Sequence, residues 1–218
     1  MLSKDYIMRM VEQIVRAMAK IAQIQDSGDF QAAQGLLDQA CREHLGLELA
    51  LVQGQPVAIL LSLFTVDGQL DPGKCIVAGE LSVQIAAQAQ QKNQTSQAEV
   101  ARLRALEFYM MGYRVLPEKE RHLYAVKIVD LLAQLPEQVF AAPELLSFVA
   151  VYEAARNYDR AEDLLFELAE EGVDGAVDFG LRLYQELLRR KDDDLEQGGL
   201  PREEVEQGLQ ELRRMAQA

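Results

Sequence analysis

The chain has no tryptophan, two cysteines, two histidines and six prolines, and aromatic residues fill only 6% of its 218 positions. Cys41 and Cys75 are too few and too far apart for the disulfide framework of a small secreted domain, so a reducing, cytoplasmic compartment is expected. The two cysteines and His44 and His122 show no ligand-pair pattern that would close a zinc site, and neither a metal nor another cofactor is expected. A long apolar run is missing as well. The uncharged stretch from Leu49 to Val66 is interrupted by Gln53-Gly54-Gln55-Pro56, which leaves Val57 to Val66 continuously near-apolar. A membrane-spanning helix needs about 20 such residues, so a buried core helix is expected there instead. Positive charge is also short: 22 Lys+Arg against 35 Asp+Glu give a net charge of −13, and the pI is about 4.6. Repulsion from phosphate argues against a nucleic-acid partner or an anionic membrane. Lys4, Asp5, Arg9 and Glu12 would interrupt the apolar core of a secretory signal, and none is expected.

What is present is ordinary globular material, 49% hydrophobic and 26% charged, enough for one large domain or two small ones. Apolar spacing is helical nearly throughout. In the first segment Ile7, Met10, Val11, Ile14, Met18 and Ile21 recur at intervals of three and four and form one stripe. Glycine, proline and asparagine punctuation predicts about ten helices, over residues 3–26, 29–45, 55–66, 74–92, 95–115, 118–134, 143–156, 158–171, 173–191 and 201–216. Ser3 and Thr95 or Ser96 suit helix N-caps, and Pro117 and Pro201 suit first turns. Short connections between helices imply antiparallel hairpins, so the expected fold is all-α: an array of helix hairpins over residues 1–197 as a single body. After Gly198-Gly199, Val205, Leu209, Leu212 and Met215 mark an amphipathic helix within 198–218, read as a cap on its own chain or a tail that packs on a neighbour.

Two stretches share a pattern. Ile24-Gln-Asp-Ser-Gly-Asp-Phe-Gln-Ala-Ala-Gln-Gly-Leu-Leu-Asp-Gln-Ala40 and Tyr152-Glu-Ala-Ala-Arg-Asn-Tyr-Asp-Arg-Ala-Glu-Asp-Leu-Leu-Phe-Glu-Leu168 both run turn, aromatic, small residue, apolar pair. Phe30 and Tyr158 suit the hairpin corner, Ala33 and Ala161 suit close approach, and Ala98, Ala101, Ala105 and Phe108 form a looser third copy. The pattern resembles the second half of a tetratricopeptide repeat, without its tryptophan and without a strict 34-residue period. The block Asp5-Tyr-Ile-Met-Arg-Met-Val-Glu-Gln13, with Asn157 to Leu168, resembles a bacterial family of unknown function, which implies an all-helical cytosolic protein and assigns no catalytic residue.

Chemistry is sparse. Cys41 and His44 stand at i and i+3, but ordinary helix packing explains them better than thiol or metal chemistry. Asp67-Gly-Gln-Leu-Asp71 departs from calcium-loop spacing and reads as a capped turn, while Asp192-Asp193-Asp194 reads as a solvated helix end or linker. No phosphate loop, nucleophile elbow or His-Glu-x-x-His pair occurs, so no enzyme is expected. Charge distribution says more: residues 137–218 hold 20 acidic against nine basic residues. On the first helix, Tyr6, Arg9, Gln13, Arg16 and Lys20 share the face opposite the apolar stripe. That face reads as a docking surface for an acidic peptide or for the acidic end of another copy. The expected function is therefore a protein-interaction module or adaptor with a groove between hairpins, its partner a protein or peptide and homodimerisation compatible with it. The alternative is a small-molecule sensor or enzyme accessory with a pocket at Tyr109, Met110, Tyr113 and Tyr124.

Overall fold

Amphipathic stripes and turn residues recur along the chain, and the computed structural model, which describes residues 4–116, 118–136 and 140–217, is correspondingly all-α. Among the described residues there are twelve helices and one minimal β-hairpin. No helix among them is long and apolar enough to cross a membrane. The expected cap at Ser3 and first-turn proline at Pro117 lie outside the described residues. The stretch expected as one body divides into two compact units, the first made of residues 1–124 and 130–135, the second of 125–129 and 136–218.

In the first unit the stripe of α1 (Lys4–Asp26) is buried at Met10, Ile14, Met18 and Ile21. It packs on α2 (Phe30–Leu45) and on α5 (Pro72–Gln91). Helix α5 in turn forms a hairpin with α6 (Thr95–Val115), where Ala98, Ala101 and Ala105 let the two helices lie close. The cap of α6 is Gln94, which makes no side-chain cap bond, and Thr95 is already the first helical residue. Between α2 and α5 run two short helices, α3 (Leu49–Gly54) and α4 (Val57–Leu63), and then strands β1 (Thr65–Val66) and β2 (Gln69–Leu70).

The buried ten-residue helix expected at 57–66 is corrected here. Helix α4 stops at Leu63, only Val57 and Leu60 of its seven residues are buried, and Ile59 and Leu63 stand about half exposed, at 48% and 51%. The cause is the turn that follows. Asp67 and Gly68 both adopt positive φ, the geometry of a two-residue hairpin, and pair Thr65 with Leu70 and Val66 with Gln69. Asp71 then starts α5 as a capped turn, its carboxylate accepting from the backbone N–H groups of Gly73 (2.9 Å) and Lys74 (3.2 Å). The carbonyls left open at helix C-termini find arginines. Arg104 donates to the carbonyls of Val52 and Gln55 at the end of α3. Arg121, on α7 (Glu118–Leu132), donates to Leu116 just past α6.

The second unit contains α8 (Ala142–Ala154), α9 (Tyr158–Glu170), α10 (Ala176–Leu187), α11 (Asp192–Gln197) and α12 (Arg202–Met215). Helices α8 and α9 form a hairpin, and α12 lies along α10, burying Val205, Leu209 and Leu212 in a core shared with Leu165, Leu183 and Tyr184. Each such Leu or Val contributes about 1.5–3 kcal/mol by leaving water. The helix in 198–218 is thus part of this unit, packed on its own chain. Of the two readings of the triple aspartate, the helix end is observed and the linker is not: it is the first turn of α11, with Asp192 and Asp193 exposed. Acidic residues suit a helix N-terminus, and Asp192 and Asp194 are paired with Arg202 and Arg156. Arg202 also donates to the carbonyls of Leu188 (3.0 Å) and Arg190 (2.6 Å), closing the end of α10 where one continuous helix over 173–191 was expected.

A candidate docking groove on the second unit

Three hairpin corners turn at a residue of positive φ, and two of them share a backbone hydrogen bond as well. Asn93 and Arg156 take positive φ, the N–H of Gln94 reaches the carbonyl of Ala89 and that of Asn157 the carbonyl of Tyr152, each at 2.9 Å, while Gly28 takes positive φ between α1 and α2. Tyr158, Ala161 and Leu165 are buried, as are Ala33 and Leu37, and Phe30 is half-buried beneath the Lys92 ammonium, 5.0 Å from its ring centre.

At the α8–α9 corner no side chain caps α9. Its first N–H groups donate instead to the carbonyl of Gly198, from Tyr158 at 2.9 Å and Asp159 at 3.2 Å. The Tyr158 hydroxyl donates to Asp194, whose other oxygen is 2.9 Å from Arg156. This clamp fixes α9 against the α11–α12 turn and so sets the space between α9 and α12.

That space is an open groove. One hollow, about 630 Å³, runs along α9 alone, lined by Glu162, Asp163, Phe166, Glu167 and Glu170 and by Glu171 just past its end. A second, about 410 Å³, shares Glu162 and Phe166 and is completed from α12 by Glu204, Gln207, Gly208, Gln210, Glu211 and Arg214. Half-buried Phe166 meets Tyr184 edge to face, ring centres 6.3 Å apart at 81°. The buried Tyr184 hydroxyl donates to the carboxylate of Glu162. Only one cation, Arg214, is among these lining residues, and it is paired with Glu211. The electrostatic consequence is visible at Glu162. Burial pushes its carboxyl up, and repulsion from Glu204, Asp163 and Asp159 adds to this, against the lowering effect of the Tyr184 hydroxyl.

Because the folded-state pKa of Glu162 is raised, the ionised group opposes folding. Its penalty is absent below the unfolded value of 4.5 and grows as pH rises through the folded value. Glu162→Gln is therefore expected to flatten the loss of stability of the second unit as pH rises above 4.5, measured by urea unfolding at a series of pH values. An unchanged pH profile would show that Glu162 is not held in this environment.

The residues singled out from sequence fall elsewhere. Arg9, Gln13, Arg16 and Lys20 are all exposed on α1, with Arg16 4.0 Å from Glu12; the side chain of Tyr6 lies outside the described residues. Tyr109, Met110 and Tyr124 are buried, and Tyr113 is half-buried beside Arg121. The Tyr109 and Tyr124 rings pack 5.9 Å apart, and Tyr109 is hydrogen-bonded to the buried carboxyl of Glu80. Gly79 makes room for that ring, since a Cβ there would come within 2.5 Å of it. Cys41 and Cys75 are fully buried; burial foremost, then neighbouring carboxylates, pushes their thiols up to about 11 and about 12, the opposite of an activated nucleophile. Among the described residues no cluster of three or more His, Cys, Asp or Glu could hold a metal ion.

Sequence reading missed Phe166 and Glu162 as site residues. The available signal was the acidic second half together with Glu162, Asp163, Phe166, Glu167 and Glu170 at helical spacing. No curated protein and no solved structure matches the chain. A family defined by sequence alone matches residues 1–217, and the chain belongs to it: a family of unknown function, DUF6483.

Proposed function

We propose that the chain is a non-enzymatic, tetratricopeptide-like protein-interaction module of the bacterial cytoplasm, and that its groove between α9 and α12 seats a cationic helical segment. The observation that carries this reading is the pair of adjoining hollows that share Glu162 and Phe166, walled by carboxylates from both helices. An arginine or lysine entering there lays its apolar stem, or its charge, on the Phe166 ring and gives its head group to the carboxylates. Seated positive charge also relieves the repulsion at Glu162, so binding releases protons where that carboxyl is partly protonated.

The tetratricopeptide-like part of the reading draws on the three hairpins α1–α2, α5–α6 and α8–α9, each with alanines at the close-approach positions. The non-enzymatic part draws on the lining itself, which is carboxylates, amides, Phe166, Gly208 and Arg214, and on the Tyr184 hydroxyl beside Glu162, which burial foremost and then that carboxylate push far above its ordinary value, the opposite of an activated nucleophile. The alternative pocket has less in its favour, because Tyr109, Tyr124 and Met110 are packed against neighbours and leave little lining for a ligand.

Calorimetric titration with a synthetic amphipathic arginine–leucine helix tests the proposal. Asp163→Lys with Glu170→Lys is expected to weaken binding at least about tenfold, or ~1.4 kcal/mol. The control Glu186→Lys with Glu206→Lys makes the same change in net charge on exposed residues outside the groove and is expected to weaken it far less. Equal losses in the two variants would reduce the effect to net charge and remove the groove from the account.

A further inference from the structure

Two helical stripes of opposite charge, one on α1 and one on α9, have matching spacings. On α1 the exposed residues Arg9, Gln13, Arg16 and Lys20 follow one another at four, three and four positions. On α9, Asp159, Asp163, Phe166 and Glu170 follow at four, three and four positions. Each set lies on one stripe of its helix and spans about 16 Å at ~1.5 Å of rise per residue.

Laid antiparallel, the two stripes fall into a single register. Lys20 meets Asp159, Arg16 meets Asp163, the Gln13 amide lies over the Phe166 ring, and Arg9 meets Glu170. From this register we propose that the groove along α9 receives α1 of a second copy of the chain. The inference rests on the reading of the groove as a seat for a cationic helix, and it names the occupant.

Two of the pairs that would be exchanged on docking are weak. Arg16 is 4.0 Å from Glu12 with side chains 83% and 61% exposed, and Arg160 is 3.8 Å from Asp163 at 67% and 71%. Exposed pairs of this kind hold little stability and are readily traded for a contact that also covers Phe166. Two surfaces that differ from each other make a heterologous contact, which closes when two copies exchange α1 reciprocally and otherwise propagates.

Sedimentation equilibrium of the full chain tests the proposal. The wild type is expected to self-associate at about 50 mM salt and to dissociate on raising salt to about 1 M, where screening shortens to ~3 Å. Arg9→Glu with Arg16→Glu in one variant, and Asp163→Lys with Glu170→Lys in another, are each expected to weaken self-association at least about tenfold. An equimolar mixture of the two is expected to associate again, because each acidic α1 then faces a basic groove. That recovery is also the control for folding, since a misfolded variant cannot supply it, and circular dichroism of each variant checks the same point independently.

A wild type that stays monomeric at low salt, variants that associate like it, or a mixture of natively folded variants that stays monomeric would each overturn the proposal. A monomeric chain that still binds the arginine–leucine helix through Asp163 and Glu170 would overturn only the second-copy occupant. A chain that does neither would overturn the groove reading as well.

Discussion

Gly198→Ala is expected to lower the thermal midpoint of the second unit by more than about 10 °C, since a destabilisation near 3 kcal/mol moves a domain of this size by ~4–8 °C per kcal/mol. Gly198 has an ordinary φ of −84°, so the backbone itself tolerates alanine. The obstacle is space. A Cβ there would sit 2.2 and 2.7 Å from the Tyr158 ring and 2.8 Å from the carbonyl oxygen of Arg156. The carbonyl cannot rotate away, because Arg156 is held at positive φ in the α8–α9 corner. Nor can the ring, which is 1% exposed and tied through its hydroxyl to Asp194. Either the Gly198 carbonyl leaves the N–H groups of Tyr158 and Asp159, uncapping α9, or Tyr158 leaves its corner. Thermal unfolding followed by circular dichroism measures the effect, and a midpoint within 2 °C of wild type would contradict the clamp.

Gly208→Ala is expected to cost stability and affinity together, which separates it from an ordinary helix substitution. Inside a helix alanine is favoured over glycine by about 1 kcal/mol, so a loosely packed site would gain from the change. Here a Cβ would lie 2.4 Å from the Tyr184 ring and 2.6 Å from its hydroxyl oxygen. Overpacking of this kind costs about 1–3 kcal/mol and outweighs the propensity gain. Displacing Tyr184 also takes its hydroxyl from Glu162 and its ring from the edge of Phe166, so the groove changes shape. The expected result is net destabilisation in urea and weaker binding of the arginine–leucine helix. A double-mutant cycle with Tyr184→Leu is expected to show the stability cost shrinking once the ring is gone. Stabilisation by Gly208→Ala would mean that α12 does not approach Tyr184 this closely.

Long helices with a strong stripe were legible from sequence. The span 3–26 was expected for α1 and Lys4–Asp26 is observed, 29–45 for α2 and Phe30–Leu45 is observed, and 158–171 for α9 and Tyr158–Glu170 is observed. In each, three or more turns of periodic apolar residues end at Gly, Asn or Asp, so pattern and punctuation agree. Helices α3 and α11, with six residues each, were not legible, and neither was the two-residue β-hairpin. These elements are too short for periodicity to show, and turn geometry at Asp67-Gly68 and the hold of Arg202 on the carbonyls of Leu188 and Arg190 just past α10 shape them instead.

The candidate site divides along the same line. The exposure of Arg9, Gln13, Arg16 and Lys20 was legible because one helix carries all four. The acidic groove was legible only as a surplus of charge in residues 137–218, since Phe166 and Gly208 come to line one hollow through a fold in which α9 and α12 are separated in sequence by α10 and α11. The aromatic residues suggested as a pocket show the converse. Tyr109 and Tyr124 cluster in sequence as a lining would, yet they turn toward Glu80 and one another.

Amide chemical-shift mapping during titration with the arginine–leucine helix tests most directly whether the α9–α12 groove seats a cationic helix. The predicted result is a saturable set of shifts centred on Glu162, Phe166, Glu170, Gln207 and Gly208, lost at high salt. Shifts centred instead on α6 and α7 around Tyr109 and Tyr124, or no saturable shifts at low salt, would contradict it.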